Sequence, residues 1–176
     1  MKIHRIRFQD IPFHRDLRCG LSLINYRHVV QHPITKRFPL TNLGKVLTLQ
    51  YGEALSDEER AGGGYPVVGS NGVVGFHDEY VVEGPCIVLG RKGSAGEVTF
   101  VESNCFPIDT TFYVVRKTDS FNIKFLAYLL RVLRLQRLAL LKGVPGLNRF
   151  DAYDVPIPLV PEDIQTKILR RIQPIE

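Results

Sequence analysis

The sequence predicts an α+β protein, with its strands grouped in the middle of the chain and its helices mostly after them. Three observations carry this. Six short apolar runs, YPVV, GVVGF, EYVV, CIVL, EVTFV and TTFYVV, fall between residues 65 and 115. They are rich in Val, Tyr, Phe and Thr, and most are bounded by Gly, Pro, Asp or Asn, as short strands are. A leucine-rich stretch over residues 122–141 has helical apolar spacing. Further on, PEDIQTKIL carries the signature of a helix start.

The chain of 176 residues is long enough for one domain with a real core and a short appendage. Its first residues are charged throughout, without the apolar segment of a signal peptide. FLAYLLRVLRLQRLALL is interrupted by Arg131, Arg134 and Arg137, which excludes a membrane span. Cys19, Cys86 and Cys105 are odd in number, widely spaced and without a CxxC pair. They point to a reduced, cytoplasmic protein without a disulfide frame or thiolate zinc site. The net charge of +5 is segregated: residues 1–50 carry +7, residues 51–115 carry −7 and residues 116–151 carry +6. Basic blocks around an acidic one suggest a directed surface, for which nucleic acid is the default polyanion.

Residues 1–36 form a basic extension in which a helix is expected near Leu21–Gln31, stopped before Pro33. His28 and His32 have metalloprotease spacing, but Val29 stands where the catalytic glutamate belongs, so they read as a solvated or packed pair. TNLGKVLTLQYGEAL suggests a short helical turn or strand, SDEER a charged turn and GGG a loop. Pro66 donates no ladder bond, which places its run at a sheet edge or a strand start. Asn71-Gly72 predicts a hairpin with a type I′ turn. Asn122 is the expected N-cap of one helix running to about Leu141, with Phe125, Leu126, Leu129, Leu130, Leu133 and Ala139 on its buried face. Lys124, Arg131 and Arg134 share its other side as a basic stripe suited to phosphate. KGVPGLNRFD is a loop and VPIPLVP is extended. The last helix has Pro161 near N1 and Glu162 and Asp163 in its first turn. Ile164, Ile168, Leu169 and Ile172 form an exposed apolar seam on it that calls for a partner.

Catalytic motifs are missing. GRKGSAG lacks P-loop spacing, and GxGxxG, GxSxG and the Asn/Asp-Pro-Pro motif of amino-methyltransferases do not occur. Asp78, Glu79, Glu83 and Asp109 lack the Asp/Glu-x-Lys arrangement of a nuclease site. The residues support binding rather than catalysis.

GEAL, YPVVGSNGVVGFHDEY, VLGRKGSAGEV, FPIDTTFYVV, PGLNRFD and IPLVPEDIQ follow one another in order over residues 41–176. Together they resemble the target recognition domain of the specificity subunit of type I restriction-modification systems. That resemblance implies a β-rich, double-β-helix-like part with a helical part, and a division into 1–36 as an unassigned extension, 37–160 as the recognition domain and 161–176 as the start of a spacer helix. It implies a non-catalytic reader of one half of a bipartite site on double-stranded DNA. Its partners are then methyltransferase subunits and a second recognition domain, supplied in trans or by self-association of a half-subunit. S-adenosylmethionine, Mg and ATP belong to partner subunits, and the reader itself holds no cofactor. A piece of a fused restriction-methylation enzyme and a protein-interaction module without DNA reading stand as the alternatives.

A motif shared by readers of different sequences builds the scaffold or grips the backbone. Ser70, Asn71, Arg91, Lys92, Ser94, Arg131, Arg134, Asn148 and Arg149 are the candidates for that role. Asp109 is expected to cap the turn before its strand. Candidates for reading bases, on loops of adjustable chemistry, are Arg60, His77, Asn104 and Lys142. The seam Ile164, Ile168, Leu169 and Ile172 is the candidate partner surface.

Overall fold

The computed structural model of the chain describes residues 37–141 and 146–172. The helix near Leu21–Gln31, the His28–His32 pair, Cys19 and Lys142 lie outside them. The described chain runs β1 (Leu40–Asn42), α1 (Leu43–Val46), β2 (Leu47–Tyr51), β3 (Tyr65–Gly69), β4 (Gly72–His77), β5 (Cys86–Gly90), β6 (Val98–Val101), β7 (Phe106–Pro107) and β8 (Thr111–Arg116). It continues with α2 (Ile123–Leu133), α3 (Gln136–Leu141), α4 (Arg149–Tyr153), β9 (Pro156–Pro158) and α5 (Glu162–Leu169).

The main sheet has four antiparallel strands in the order β2-β8-β5-β6, and a second sheet has the order β4-β3-β7. β5 explains how they meet. Every residue of CIVLG is buried, so the run is continuously apolar rather than alternating. Ile87 and Leu89 face the large core with α2. Cys86 and Val88 face a smaller cluster with Val68, Val101 and Cys105. Helices, main sheet and second sheet therefore form layers around two apolar fillings. Cys86 and Cys105 are free thiols in the smaller one, their sulfurs 3.1 Å apart. The bond from Cys86 and burial push the Cys105 thiol far above its ordinary range.

α2 forms where its periodicity predicts. The Asn122 side chain accepts from the N–H groups of Lys124 and Phe125 at 2.9 and 3.3 Å, satisfying two donors that a helix start leaves open. Asn122→Ala is expected to cost about 1 kcal/mol in a denaturant titration. One helix to Leu141 was expected, and the structure corrects this. Arg134 takes a left-handed conformation, φ 49°, and ends α2. The break turns Leu135 fully into the core and sets the backbone at Leu135–Gln136 against Gly96.

The hairpin also differs from expectation. Gly69 pairs with Gly72, so Ser70 and Asn71 are the loop residues. Among the described residues only Arg134 and four glycines have positive φ, and in this hairpin only Gly72 does, at 103°. The turn is therefore not type I′, which needs positive φ at both central residues, and the hairpin's register shift falls further along, at Val67/Val68 opposite Val73 and Gly75. Pro66 lies near the start of β3, but β3 is the middle strand of its sheet. EYVV contributes only a bridge from Val82 to Cys105.

β1 pairs with β9, Leu40 against Pro158, which accounts for VPIPLVP being extended. α5 begins after Pro161, which is its N-cap rather than its first helical residue. Its seam is not fully exposed as expected: Ile164, Ile168 and Leu169 are half-buried against the core. The side with Ile164, Gln165 and Ile168 turns inward because Gln165, fully buried, ties the helix down. Its Oε1 accepts from the Asn122 N–H at 2.8 Å. Its Nε2 donates to the carbonyls of Ser120 and Val160 at 2.7 and 2.8 Å.

Candidate nucleic-acid interface

Four of the ordered motifs meet at one place, at the ends of β2, β3, β5 and α4. The Thr110 carbonyl is its centre. It accepts from the backbone N–H of Arg91 at 2.8 Å and of Lys92 at 3.1 Å, and from the Ser70 hydroxyl at 2.7 Å. So GSNG, GRKGS and DTT are fastened to one oxygen. PGLNR joins through the Leu147 N–H, which donates to the Arg91 carbonyl at 2.8 Å.

Arg91 is fixed by its side chain as well. Its Nε and Nη2 donate to the Asp109 carbonyl at 3.1 and 2.7 Å. Its guanidinium carbon lies 5.2 Å from the centre of the Tyr51 ring, and that of Arg149 lies 5.1 Å from it. The Arg149 carbon is also 5.2 Å from the Phe150 ring. Exposed cation–π contacts of this kind contribute about 0.5–1 kcal/mol each. Hydrogen bonds from a charged group contribute about 1.5–3 kcal/mol, so the Asp109 carbonyl, not the ring, is the main anchor of Arg91. Asn148 caps α4 by accepting from the Phe150 N–H at 2.9 Å. Asn71 is exposed at the hairpin tip and Lys92 beside it on its own loop. The Ser94 carbonyl accepts from the Glu97 N–H at 3.2 Å and shapes the loop.

The other candidates lie elsewhere and are mostly engaged. Lys124 pairs with Glu102 at 2.7 Å, and Arg131 donates to the Val98 carbonyl at 3.3 Å. The stripe on α2 is thus engaged from outside its own helix, by the Glu102 carboxylate and the Val98 carbonyl across the packing interface. Arg134 stays exposed at the helix break. Arg60 pairs with Asp57 at 2.5 Å and donates to the Val74 carbonyl at 3.2 Å. The Asn104 side chain accepts from the Gly84 N–H at 2.9 Å. His77 Nδ1 accepts from the Ala61 N–H at 3.2 Å, which makes that nitrogen a bare acceptor. Its 3.3 Å approach to Asp78 is then not an ion pair. The Ser56 N–H holds the Glu59 carboxyl below its usual range in the same acidic turn.

Sequence reasoning missed Tyr51, Phe150 and Gln165. The first two carried a readable signal. NRF puts an aromatic beside an arginine just after a cap, the interleaving used by nucleic-acid binders. Gln165 carried none, because its partners are 43 and 45 residues away.

An α+β scaffold that braces arginines, glycine turns and exposed rings at one end defines a recognition module. Residues 37–176 match the family described as type I restriction modification DNA specificity domain, and the chain belongs to that family. A search of curated proteins returned no match. Among solved structures, the chain is similar to the type I restriction-modification S subunit from M. genitalium, at 20% identity and TM-score 0.67 over 83% of this chain. It is also similar to the HsdS subunit from Thermoanaerobacter tengcongensis, at 17% identity and TM-score 0.58 over 84% of this chain. A third similar structure concerns complex assembly and conformational transition of the type I R-M system, at 18% identity and TM-score 0.60 over 84% of this chain. These likenesses bear on the mixed helix-and-strand fold. The chain spans 41–43% of the length of those structures. Among the described residues no helix is long and apolar enough to cross a membrane.

Proposed function

We propose that this chain is a DNA-reading unit of a type I specificity subunit, reading one half of a bipartite site and directing methyltransferase and nuclease subunits to it. The observation that carries the reading is the fastening of Arg91 and Lys92 to the Thr110 carbonyl by their backbone N–H groups, with the guanidinium groups of Arg91 and Arg149 sharing the Tyr51 ring. Such a frame suits a grip on the DNA backbone, which positions the protein without specifying sequence. Base reading then falls to neighbouring loops. Asn71, exposed at the hairpin tip, stands next in line for it. The chemistry of methyl transfer and cleavage, with S-adenosylmethionine, Mg and ATP, belongs in this scheme to partner subunits in the cytoplasm. The remaining half-site is supplied by a second recognition domain or a second copy.

A protein contact is favoured at a different surface. Val73 and Phe76 on β4 are exposed, with Tyr80 beyond them, and Asp78, Glu79 and Glu83 follow in the chain. Apolar side chains among carboxylates suit a protein partner better than a phosphate backbone.

Lys92→Gln keeps the backbone bond to Thr110 and removes one charge. It is expected to weaken binding to duplexes of every sequence alike. The slope of log affinity against log salt should fall by about 0.9, and with Arg149→Gln added by about twice that, while thermal melting stays unchanged. Salt slopes that do not move would remove these residues from the DNA face.

A further inference from the structure

Phe150 is the most exposed of the large apolar side chains in the described residues, at 64%. It is also firmly held. Asn148 fixes its backbone, and Arg149 lies over its ring. Tyr153 meets it edge-on at 6.1 Å and 89°. The Tyr153 hydroxyl in turn accepts from the Leu49 N–H at 2.9 Å, which roots that support in β2. On the other side Arg149 reaches Tyr51, and Tyr51 lies 5.0 Å from Phe112, itself buried in the core. A series of stacked groups thus runs from the core to a ring in water. An exposed ring that is merely tolerated has no need of such bracing.

We propose that Phe150 is an apolar contact to DNA, its ring wedging against a partly unstacked base step of the duplex while Arg149 and Lys92 meet the flanking phosphates. This rests on the DNA-reading function proposed above and adds a contact that carries no charge. The choice of nucleic acid over protein follows from the surroundings. Phe76 and Tyr80 are exposed too, but stand in the chain beside Asp78 and Glu79, which a phosphate backbone repels. Phe150 has a guanidinium over its ring, and Tyr51 behind it has two. Rings interleaved with arginine grip the bases of single strands without regard to identity, and an apolar ring wedged at a duplex base step draws on the same exposed base faces.

The test uses the full chain and a fluorescein-labelled duplex of about 30 base pairs of mixed sequence, titrated at several salt concentrations within the range of about 50 to 200 mM. Phe150→Ala is expected to weaken binding about tenfold at every salt concentration without changing the salt slope, because the lost contact is apolar. Phe150→Trp is expected to restore it. Arg149→Gln is expected to change the slope. Melting of each variant checks that the fold is kept, and a ring this exposed leaves little to unfold. If the wild-type chain binds but Phe150→Ala binds equally well, the wedging role is overturned and DNA reading stands. If Phe150→Ala lowers the slope as Arg149→Gln does, Phe150 acts only by placing the arginine, and the proposal also falls. Unchanged DNA affinity with lost binding to a methyltransferase subunit would assign the ring to a protein interface instead. If the wild-type chain binds no duplex at low salt, the proposed function itself fails.

Discussion

Gln165→Leu is expected to destabilise the protein by about 3 kcal/mol or more. The leucine would fill much of the same space, but it orphans the buried Val160 carbonyl and leaves the half-buried Asn122 N–H and Ser120 carbonyl without their partner. Each buried polar group left without a partner costs about 1–3 kcal/mol, and the gain from an apolar side chain offsets only part of that. The melting midpoint should fall by about 10 °C. Gln165→Glu is nearly isosteric and is expected to do no better at neutral pH. It keeps the acceptor for Asn122 but turns a second carboxylate oxygen toward two carbonyls. An unchanged midpoint in both variants would show that α5 is held by its apolar contacts alone. The effect on assembly should exceed the effect on DNA binding. α5 is tied to α2 and to the segment before it, not to the loops around Thr110.

Gly90→Ala is the second large effect, and it strikes those loops. The φ of Gly90 is not in the left-handed region, so conformational freedom is not the reason for glycine here. The reason is space. A Cβ at this position would fall far inside van der Waals contact distance of the Ser94 carbonyl oxygen and 2.9 Å from the Ser70 carbonyl oxygen. Both are backbone atoms, in turns that are themselves hydrogen-bonded. The Gly90 N–H donates to Glu97 at 2.9 Å and its carbonyl accepts from Gly96 at 2.7 Å. No rotamer change relieves the clash, so the hairpin tip and the GRKGSAG loop must move apart. A loss of about 3 kcal/mol or more is expected in urea denaturation. DNA affinity should fall further than in Lys92→Gln, because Arg91 and Lys92 shift together. Wild-type stability in Gly90→Ala would mean that the two turns are not packed backbone to backbone.

Much of the architecture was legible because it rests on local signals. Short runs of Val, Tyr, Phe and Thr between turn residues marked β3, β4, β5, β6 and β8. The Asn122 cap and the spacing of Phe125, Leu126, Leu129, Leu130 and Leu133 marked α2. What failed was decided by tertiary packing. The helix breaks at Arg134 because Gly96 leaves room for a backbone there, and nothing within the leucine-rich stretch announces it. A turn in which only Gly72 has positive φ and a type I′ turn share the same Asn-Gly dipeptide, so the letters alone do not separate them. The glycine-rich motifs marked loops that the structure brings together around the Thr110 carbonyl. Charge alone did not say which arginines are engaged. Lys124 and Arg131 looked available along the helix and are bonded from the sheet. Arg91 and Arg149 were candidates for the scaffold or a phosphate grip, and what the letters did not show is that they share a ring contributed by Tyr51, 40 and 98 positions away.

The pairing of β1 with β9 has a further consequence. Leu40 lies opposite Pro158, so the chain enters the described unit and leaves its sheets at one seam. A segment bounded in this way can be lifted out of one polypeptide and set into another with both joins on the same side, and its interior need not adjust. Exchange of the whole unit would then carry its recognition surface with it, while the helix that follows the seam keeps its place in the host chain.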